Sequence, residues 1–220
     1  MTHTVSPLRF TVIIPLEFHR SQMQECLRRW ARAQAYARGR YEILAVACRY
    51  SLSQEVLAEL KAELRPDDRL LLYDVPHDVA LHAQAAGEAK GEVLLFTESH
   101  CLPEPNVLTL ADEILQTHPE WAGFSGGTTR IAPNRLSVVE ADMYENDIRH
   151  GMEQHPWRKL LDQCFVVRVE HYRAAGGFRP ELGHFAEWHL AAHLHQQGYH
   201  IGYAPAVRDT LPMVGAGRDA

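Results

Sequence analysis

Short apolar runs alternate with amphipathic stretches through the first half of the chain. The apolar runs, each typical of a buried β-strand, are residues 10–15, 41–48, 69–75 and 92–97. The stretches between them that repeat apolar side chains at helical spacing are residues 23–37, 52–64 and 79–90. Strands and helices in this order predict an α/β fold with a mainly parallel sheet and helices on both faces.

The second half of the chain is less regular. Its predicted helices are residues 104–116 and 185–197, and its predicted strands are residues 121–125, 164–169 and 200–204. A polar segment over residues 130–156 and a Gly176-Gly177-Phe178 turn separate them. We expect one domain over residues 1–220, with its halves at 9–103 and 104–207 and a tail at 208–220.

Composition and charge narrow the classes of function. The chain has 22 Lys and Arg against 28 Asp and Glu, a net charge of -6, and 46% hydrophobic residues. This balance predicts a globular protein and argues against nucleic-acid binding through a broad basic face. No apolar run approaches the roughly 20 residues of a transmembrane helix, so no transmembrane segment is expected. The four dispersed cysteines and an N-terminus without a signal pattern predict a reducing, cytoplasmic setting.

A carboxylate and an imidazole follow the fourth predicted strand directly. In extended backbone, Glu98 and His100 point to the same side, at the sheet edge where such folds bind ligands. The pair is suited to half of a divalent-cation site, with water and ligand phosphates completing it. Two other interpretations remain open at this point. One is a solvated turn, and the other is a zinc site that includes Cys101.

The order and spacing of several short motifs resemble the family 2 glycosyltransferases of GT-A fold. The resemblance spans about residues 10–207. Its parts are the strand ending at Pro15, residues 41–46, the segment 83–96, the turn at 176–178, Glu187, and residues 198–201. The resemblance implies a nucleotide-binding half at residues 9–103 and an acceptor-side half at residues 104–207.

The same resemblance assigns the metal and diphosphate residues. Glu98-Ser99-His100 stands where the family has an Asp-x-Asp motif, and polypeptide N-acetylgalactosaminyltransferases have a similar Asp-Ser-His. It implies Glu98 and His100 as ligands of Mn²⁺ or Mg²⁺, with Asp209 as a candidate third ligand. Ser99 would approach the ribose or a phosphate.

The nucleotide would be bordered by Pro15 and Glu17, at the end of the first strand. Many family members carry an aspartate after the second strand to hold the nucleobase, and this chain has Ala47-Cys48-Arg49 there. Arg49 is the remaining side chain in this position for contacting the base. We therefore expect looser selection among nucleobases than an acid would give.

Glu187 is the candidate catalytic base. At 100° per residue it shares a helix face with Leu190 and Leu194, an unusual place for an acid without a function. In the family, an acid pair after the GGF turn provides the base, and here Ala186 stands in place of the first acid. The alternative is a glutamate that only complements the helix dipole.

These observations predict a metal-dependent, inverting glycosyltransferase of the hexosyltransferase type. It would move a sugar from a nucleotide diphosphate sugar to an unidentified saccharide, lipid or protein acceptor. Two alternatives are a degenerate GT-A domain without turnover, favoured by the two missing acids, and a nucleotidyltransferase. The second lacks support because residues 16–19 contain no glycine-rich phosphate loop.

Overall fold

The computed structural model describes residues 8–16, 22–75, 77–131, 135–158, 160–161 and 163–212. Glu17 lies outside these ranges, so its predicted place beside the nucleotide stays a prediction. Within them, one sheet of eight strands carries helices on both faces. The predicted α/β fold class is confirmed.

The first half follows the predicted alternation closely. Its strands are β1 (Phe10–Pro15), β2 (Tyr41–Cys48), β3 (Arg69–Tyr73) and β4 (Val93–Phe96). Its helices are α1 (Gln22–Arg28), which continues as a π-helical turn to Ala33, α2 (Gln54–Glu63) and α3 (Asp78–Glu88). These strands pair in parallel, so their carboxyl ends meet at one edge of the sheet.

The second half completes the sheet with mixed pairing. Its elements are β5 (Leu102–Pro103), α4 (Val107–Thr117), β6 (Trp121–Ile131), α5 (Arg135–Gln154), β7 (Phe165–Arg168), α6 (Val169–Ala174), α7 (Ala186–Gln196) and β8 (His200–Pro212). Strand β7 inserts antiparallel between β4 and β6, and β6 pairs in parallel with β8. It follows that β8 runs in the same direction as β4.

Several elements differ from the sequence-based expectation. Strand β5 and helix α6 have no predicted counterpart, and β6, expected over residues 121–125, continues to Ile131. The segment expected to be only polar contains the 20-residue helix α5, whose exposed side chains include Val138, Val139 and Met143. Apolar side chains on the solvent face obscure the helical period on which the prediction depended. The last strand, expected over residues 200–204, continues to Pro212, so residues 208–212 belong to the sheet.

The two faces of the sheet bury separate hydrophobic clusters. Helices α1, α2 and α4 cover one face, and α3, α6 and α7 cover the other, where Phe96 and Phe165 stack at 5.9 Å. These clusters hold the carboxyl ends of β1, β2 and β4 in register at one edge. Among the described residues, no helix combines the length and apolar composition that crossing a membrane requires.

Candidate functional site

A tight turn after β4 brings the predicted cation ligands together. The main-chain N–H of Cys101 donates to the Glu98 carbonyl at 3.0 Å, which closes the turn. The thiol of Cys26, on α1, contacts the same carbonyl at 3.8 Å. The turn is therefore anchored both locally and to the helix that covers this end of the sheet.

The side chains of Glu98 and His100 lie within hydrogen-bond distance at the carboxyl edge of the sheet. Their Oε2 and Nε2 atoms are 3.0 Å apart, and the side chains are 22% and 26% exposed, respectively. Cys101 is fully buried, with its sulfur 3.9 Å from Glu98 Oε2. Ligand atoms of all three residues lie within 4.8 Å of one another. The donor set fits a divalent cation, and it includes a thiol beside the two predicted groups.

Asp209 lies outside that three-residue cluster but borders it. It is fully buried on β8, and its Oδ2 accepts a hydrogen bond of 2.8 Å from the Thr97 hydroxyl, next to Glu98. Its Oδ1 is buried and has no hydrogen-bond partner among the described residues. Burial raises the pKa of Asp209 to about 7. The negative charge of nearby Glu104 adds to this rise, and the hydrogen bond from Thr97 opposes it. Its role as a third metal ligand stays a prediction.

Three predicted nucleotide residues lie at the same carboxyl edge. Pro15 is the last residue of β1 and is buried, and Ser99 is buried between Glu98 and His100. Arg49 follows β2, where its side chain is exposed and its N–H donates to the Tyr73 carbonyl at 2.8 Å. Because β1, β2 and β4 are adjacent, these residues line one continuous edge.

A buried histidine lies beneath this edge, and no pattern in the sequence marks it as a site residue. His82 of α3 packs edge-on against Phe96 at 5.1 Å and lies 6.0 Å from Phe178. Burial lowers its pKa, although Asp78, the Thr97 main chain and Glu98 raise it. Burial therefore favours the neutral imidazole, which packs against Phe96 and Phe178 below the site. A histidine in an alanine-rich helix carries no local signal of this position.

The Gly176-Gly177-Phe178 turn has a conformation that few other residues would accept. Both glycines have positive φ, 85° and 66°, and a Cβ on Gly177 would meet the Tyr172 ring at 2.8 Å. The Phe178 N–H donates to the Tyr172 hydroxyl at 2.9 Å. The turn thus fixes Phe178 under β4 and sets the start of the segment that leads into α7.

Glu187 is buried in the first turn of α7, and topology assigns this end of the helix to the carboxyl edge. Helix α7 ends in a turn at Gly198, whose φ is 81°, and β8 starts two residues later. Since Leu190 and Leu194 pack on the sheet, α7 runs back along it, opposite to β8 and β4. The amino end of α7 therefore lies toward the edge that carries Glu98, with Phe185 and Trp188 exposed beside Glu187.

A polar cavity opens beside α5, β6 and β8 in the second half of the chain. Its volume is 330 Å³, and it is lined by side chains that include Glu145, Asn146, Arg149, Tyr203 and Arg208. Acidic and basic groups are balanced along its wall. The cavity can take a neutral, polar group, since no single sign of charge dominates it.

Solved structures share this fold. The mannosyltransferase PcManGT from Pyrobaculum calidifontis, in complex with GDP-Man and Mn²⁺, superposes with a TM-score of 0.72 at 21% identity, over 97% of this chain and 61% of that one. TarS from S. aureus, in complex with UDP-GlcNAc, gives a TM-score of 0.69 at 13% identity, over 96% and 60%. The chain therefore has the GT-A fold, and it spans about three fifths of each of these proteins. The sequence itself matches no protein-family model and no curated protein.

Proposed function

We propose that this protein is a metal-dependent glycosyltransferase that moves a sugar from a nucleotide diphosphate sugar to an acceptor hydroxyl. The observation that carries the proposal is the Glu98–His100 pair, 3.0 Å apart, at the carboxyl end of β4 in a GT-A fold. PcManGT and TarS were each solved with a nucleotide sugar. An acidic chain needs a local source of positive charge for a diphosphate, and this pair offers ligands for one.

The donor would lie along the carboxyl edge of β1, β2 and β4. Glu98 and His100 would hold the cation, and Asp209 is the candidate for a further ligand. When bound, the cation neutralises charge on the departing diphosphate. Ser99 would approach the ribose or a phosphate, and Arg49 would contact the nucleobase. Pro15, with Glu17 beyond the described residues, would border the nucleotide.

Glu187 would act as the general base of an inverting displacement. The acceptor oxygen attacks the anomeric carbon, and its proton passes to the Glu187 carboxylate. The bond between that carbon and the phosphate oxygen breaks, and the diphosphate leaves with the electron pair. Support comes from the burial of this acid on the amino end of α7, the end that faces the carboxyl edge. The exposed Phe185 and Trp188 would border the acceptor, which remains unidentified.

Thermal shift with nucleotide sugars tests the proposal directly. GDP-mannose and UDP-GlcNAc are the first donors to try, each with Mn²⁺ and with EDTA. A donor at about 100 times its Kd stabilises the folded state by about 2.7 kcal/mol, which for a chain of this size raises Tm by roughly 5–10 °C. We expect that shift only with the cation. Equal shifts in EDTA, or none with a panel of nucleotide sugars, would contradict the proposal.

A further inference from the structure

We propose that Glu98, His100 and Cys101 form a three-ligand cation site that selects Zn²⁺ over Mg²⁺ through the thiolate of Cys101. The inference rests on the proposed function, because it assigns the metal of the same site. It differs from the resemblance, which implies Mn²⁺ or Mg²⁺ and gives Cys101 no part. The fourth coordination position stays open for water or a phosphate oxygen.

Two of the three distances between the ligand atoms are close to those of a tetrahedral zinc site. Zn–S, Zn–N and Zn–O bonds of about 2.3, 2.05 and 2.1 Å place nitrogen about 3.4 Å and sulfur about 3.6 Å from the oxygen. The structure has His100 Nε2 at 3.0 Å and Cys101 Sγ at 3.9 Å from Glu98 Oε2. These two separations need to change by only about 0.3–0.4 Å, and the third, between a ring nitrogen of His100 and Cys101 Sγ, lies within 4.8 Å, against about 3.6 Å around zinc. Side-chain rotations supply these changes.

Burial divides the three ligands into an inner and an outer part. Cys101 is fully buried, whereas the Glu98 and His100 side chains keep 22% and 26% of their surface exposed. The thiol therefore closes the site from the protein side, and the opposite side opens toward solvent. This asymmetry is that of a catalytic zinc site, with three protein ligands and one exchangeable position.

The main chain holds the three ligands in place before any cation arrives. The Cys101 N–H donates to the Glu98 carbonyl at 3.0 Å, so the first and last ligands belong to one closed turn. The Cys26 thiol contacts that carbonyl at 3.8 Å. Because the turn is already formed, cation binding needs little reorganisation of the backbone.

The chemistry of the donor set decides between the metals. Mg²⁺ prefers six oxygen ligands and keeps several waters, and a sulfur–nitrogen–oxygen set offers it a single oxygen. Thiolate and imidazole together favour Zn²⁺. A purely carboxylate motif in this position would have the opposite preference. The identity of residue 101 therefore decides the metal preference.

One other group of imidazoles would compete for zinc in a binding experiment. His189 and His193, four residues apart on α7, have ring centroids 4.0 Å apart. The experiment therefore uses the full chain with H189A and H193A as the background. In that background we compare Cys101→Ser and His100→Ala, with Cys48→Ser as the control for a half-buried thiol outside the cluster.

The measurements are metal titrations of the metal-free protein without nucleotide, and the absorption spectrum of its Co²⁺ form. We expect one Zn²⁺ site and a thiolate-to-Co²⁺ charge-transfer band in the near ultraviolet. Cys101→Ser should lose the band and weaken Zn²⁺ binding by at least about 100-fold, beyond the usual effect of an outer-shell change. His100→Ala should weaken it similarly, and Cys48→Ser should match the background.

Absence of the Co²⁺ thiolate band in the background protein would overturn the inference without any mutation of the cluster. Unchanged Zn²⁺ affinity in Cys101→Ser would overturn it as well. Melting curves in EDTA check that Cys101→Ser folds. His100→Ala tests the loss of Zn²⁺ affinity at a partly exposed position, where the fold is less affected. If Mn²⁺ supports nucleotide binding but Cys101 takes no part, the proposed function stands and this inference fails. If no cation affects nucleotide binding, the proposed function itself fails.

Discussion

Thr97 and Asp209 are joined by a buried hydrogen bond of 2.8 Å, although 112 positions separate them in the chain. The Thr97 hydroxyl donates to the Asp209 carboxylate and connects β8 to the residue that precedes Glu98. The last strand of the fold thus supports the start of the turn that carries Glu98 and His100. Asp209 is also the one carboxylate whose burial raises its pKa to about 7 among the described residues.

Asp209→Asn should stabilise the metal-free protein above pH 7. The ordinary pKa of 3.8 rises to about 7 on folding, so the folded state holds a proton that the unfolded state has lost. Stability therefore falls as pH rises from about 4 to about 7. Asparagine keeps an acceptor for Thr97 and has no charge to bury, so Tm above pH 7 in EDTA should rise by roughly 5 °C or more.

Asp112→Asn is the matched control with the opposite sign. Burial raises the pKa of Asp112, but the hydrogen bonds from Tyr36 and Arg9 together lower it by more. The net shift of this pKa is therefore downward. That carboxylate contributes stability above its unfolded pKa and loses it as pH falls through the lower folded pKa. Its replacement should lower Tm at neutral pH. If the difference in Tm between wild type and Asp209→Asn stays the same from pH 4 to 8, the raised pKa of Asp209 is contradicted.

His100→Ala should weaken nucleotide diphosphate binding in Mn²⁺ and leave little difference between Mn²⁺ and EDTA. The reason is that the imidazole is one of the cation's proposed ligands, and the cation is the proposed source of positive charge for the diphosphate. Calorimetry with GDP and UDP measures the effect. His118→Ala removes a histidine from a similar pair, His118–Glu120 at 3.2 Å, far from this edge, and should bind like wild type. Equal loss in both variants would argue against the site.

Arg49→Ala should weaken donor binding and reduce what preference the protein has among nucleobases. A buried acid rejects a wrong base because that base leaves the acid without its hydrogen bond, and no acid directly follows β2 here. We therefore expect GDP and UDP affinities within about tenfold of each other. Arg38→Ala changes an exposed arginine before β2, at the opposite edge of the sheet, and serves as the control. A strong base preference that survives Arg49→Ala would show that the contact lies elsewhere.

Glu187→Gln should reduce turnover by about 10²- to 10⁴-fold, the usual scale of general base catalysis. The amide keeps the shape of the side chain but accepts no proton, so donor affinity and Tm should change little. Glu181→Gln replaces an exposed acid that pairs with Arg179 near the same helix and should retain activity. If Glu187 only complements the helix dipole, turnover will persist and stability will fall by at most about 1 kcal/mol.

Tyr172→Phe should destabilise the fold without touching the predicted ligands. The Tyr172 hydroxyl accepts the buried N–H of Phe178 at 2.9 Å, and its loss leaves that donor unsatisfied. The expected cost is about 1–3 kcal/mol, measured by denaturant unfolding. Tyr199→Phe alters a half-buried tyrosine whose ring lies tilted against that of His171, and it should cost less. A smaller loss for Tyr172→Phe than for Tyr199→Phe would contradict the role of this hydrogen bond.

Local sequence patterns were enough to predict the strands and helices of the first half and the position of the Glu98-Ser99-His100 motif. Those features depend on local patterns: apolar runs of strand length, helical spacing between them, and polar residues directly after a buried strand. The GGF turn was equally local, since positive φ at two successive positions requires glycine.

Which side chains meet at the site depends on how the chain turns and packs in three dimensions. Cys101 joins the cluster because the turn at Glu98 folds back on itself, and Asp209 reaches Thr97 because β8 continues beyond the predicted strand. Helix α5 was not predicted because its exposed apolar residues interrupt the helical spacing of apolar and polar positions. The Thr97–Asp209 contact joins distant parts of the chain, and the free energy of such a contact comes from burial and packing that no local pattern records.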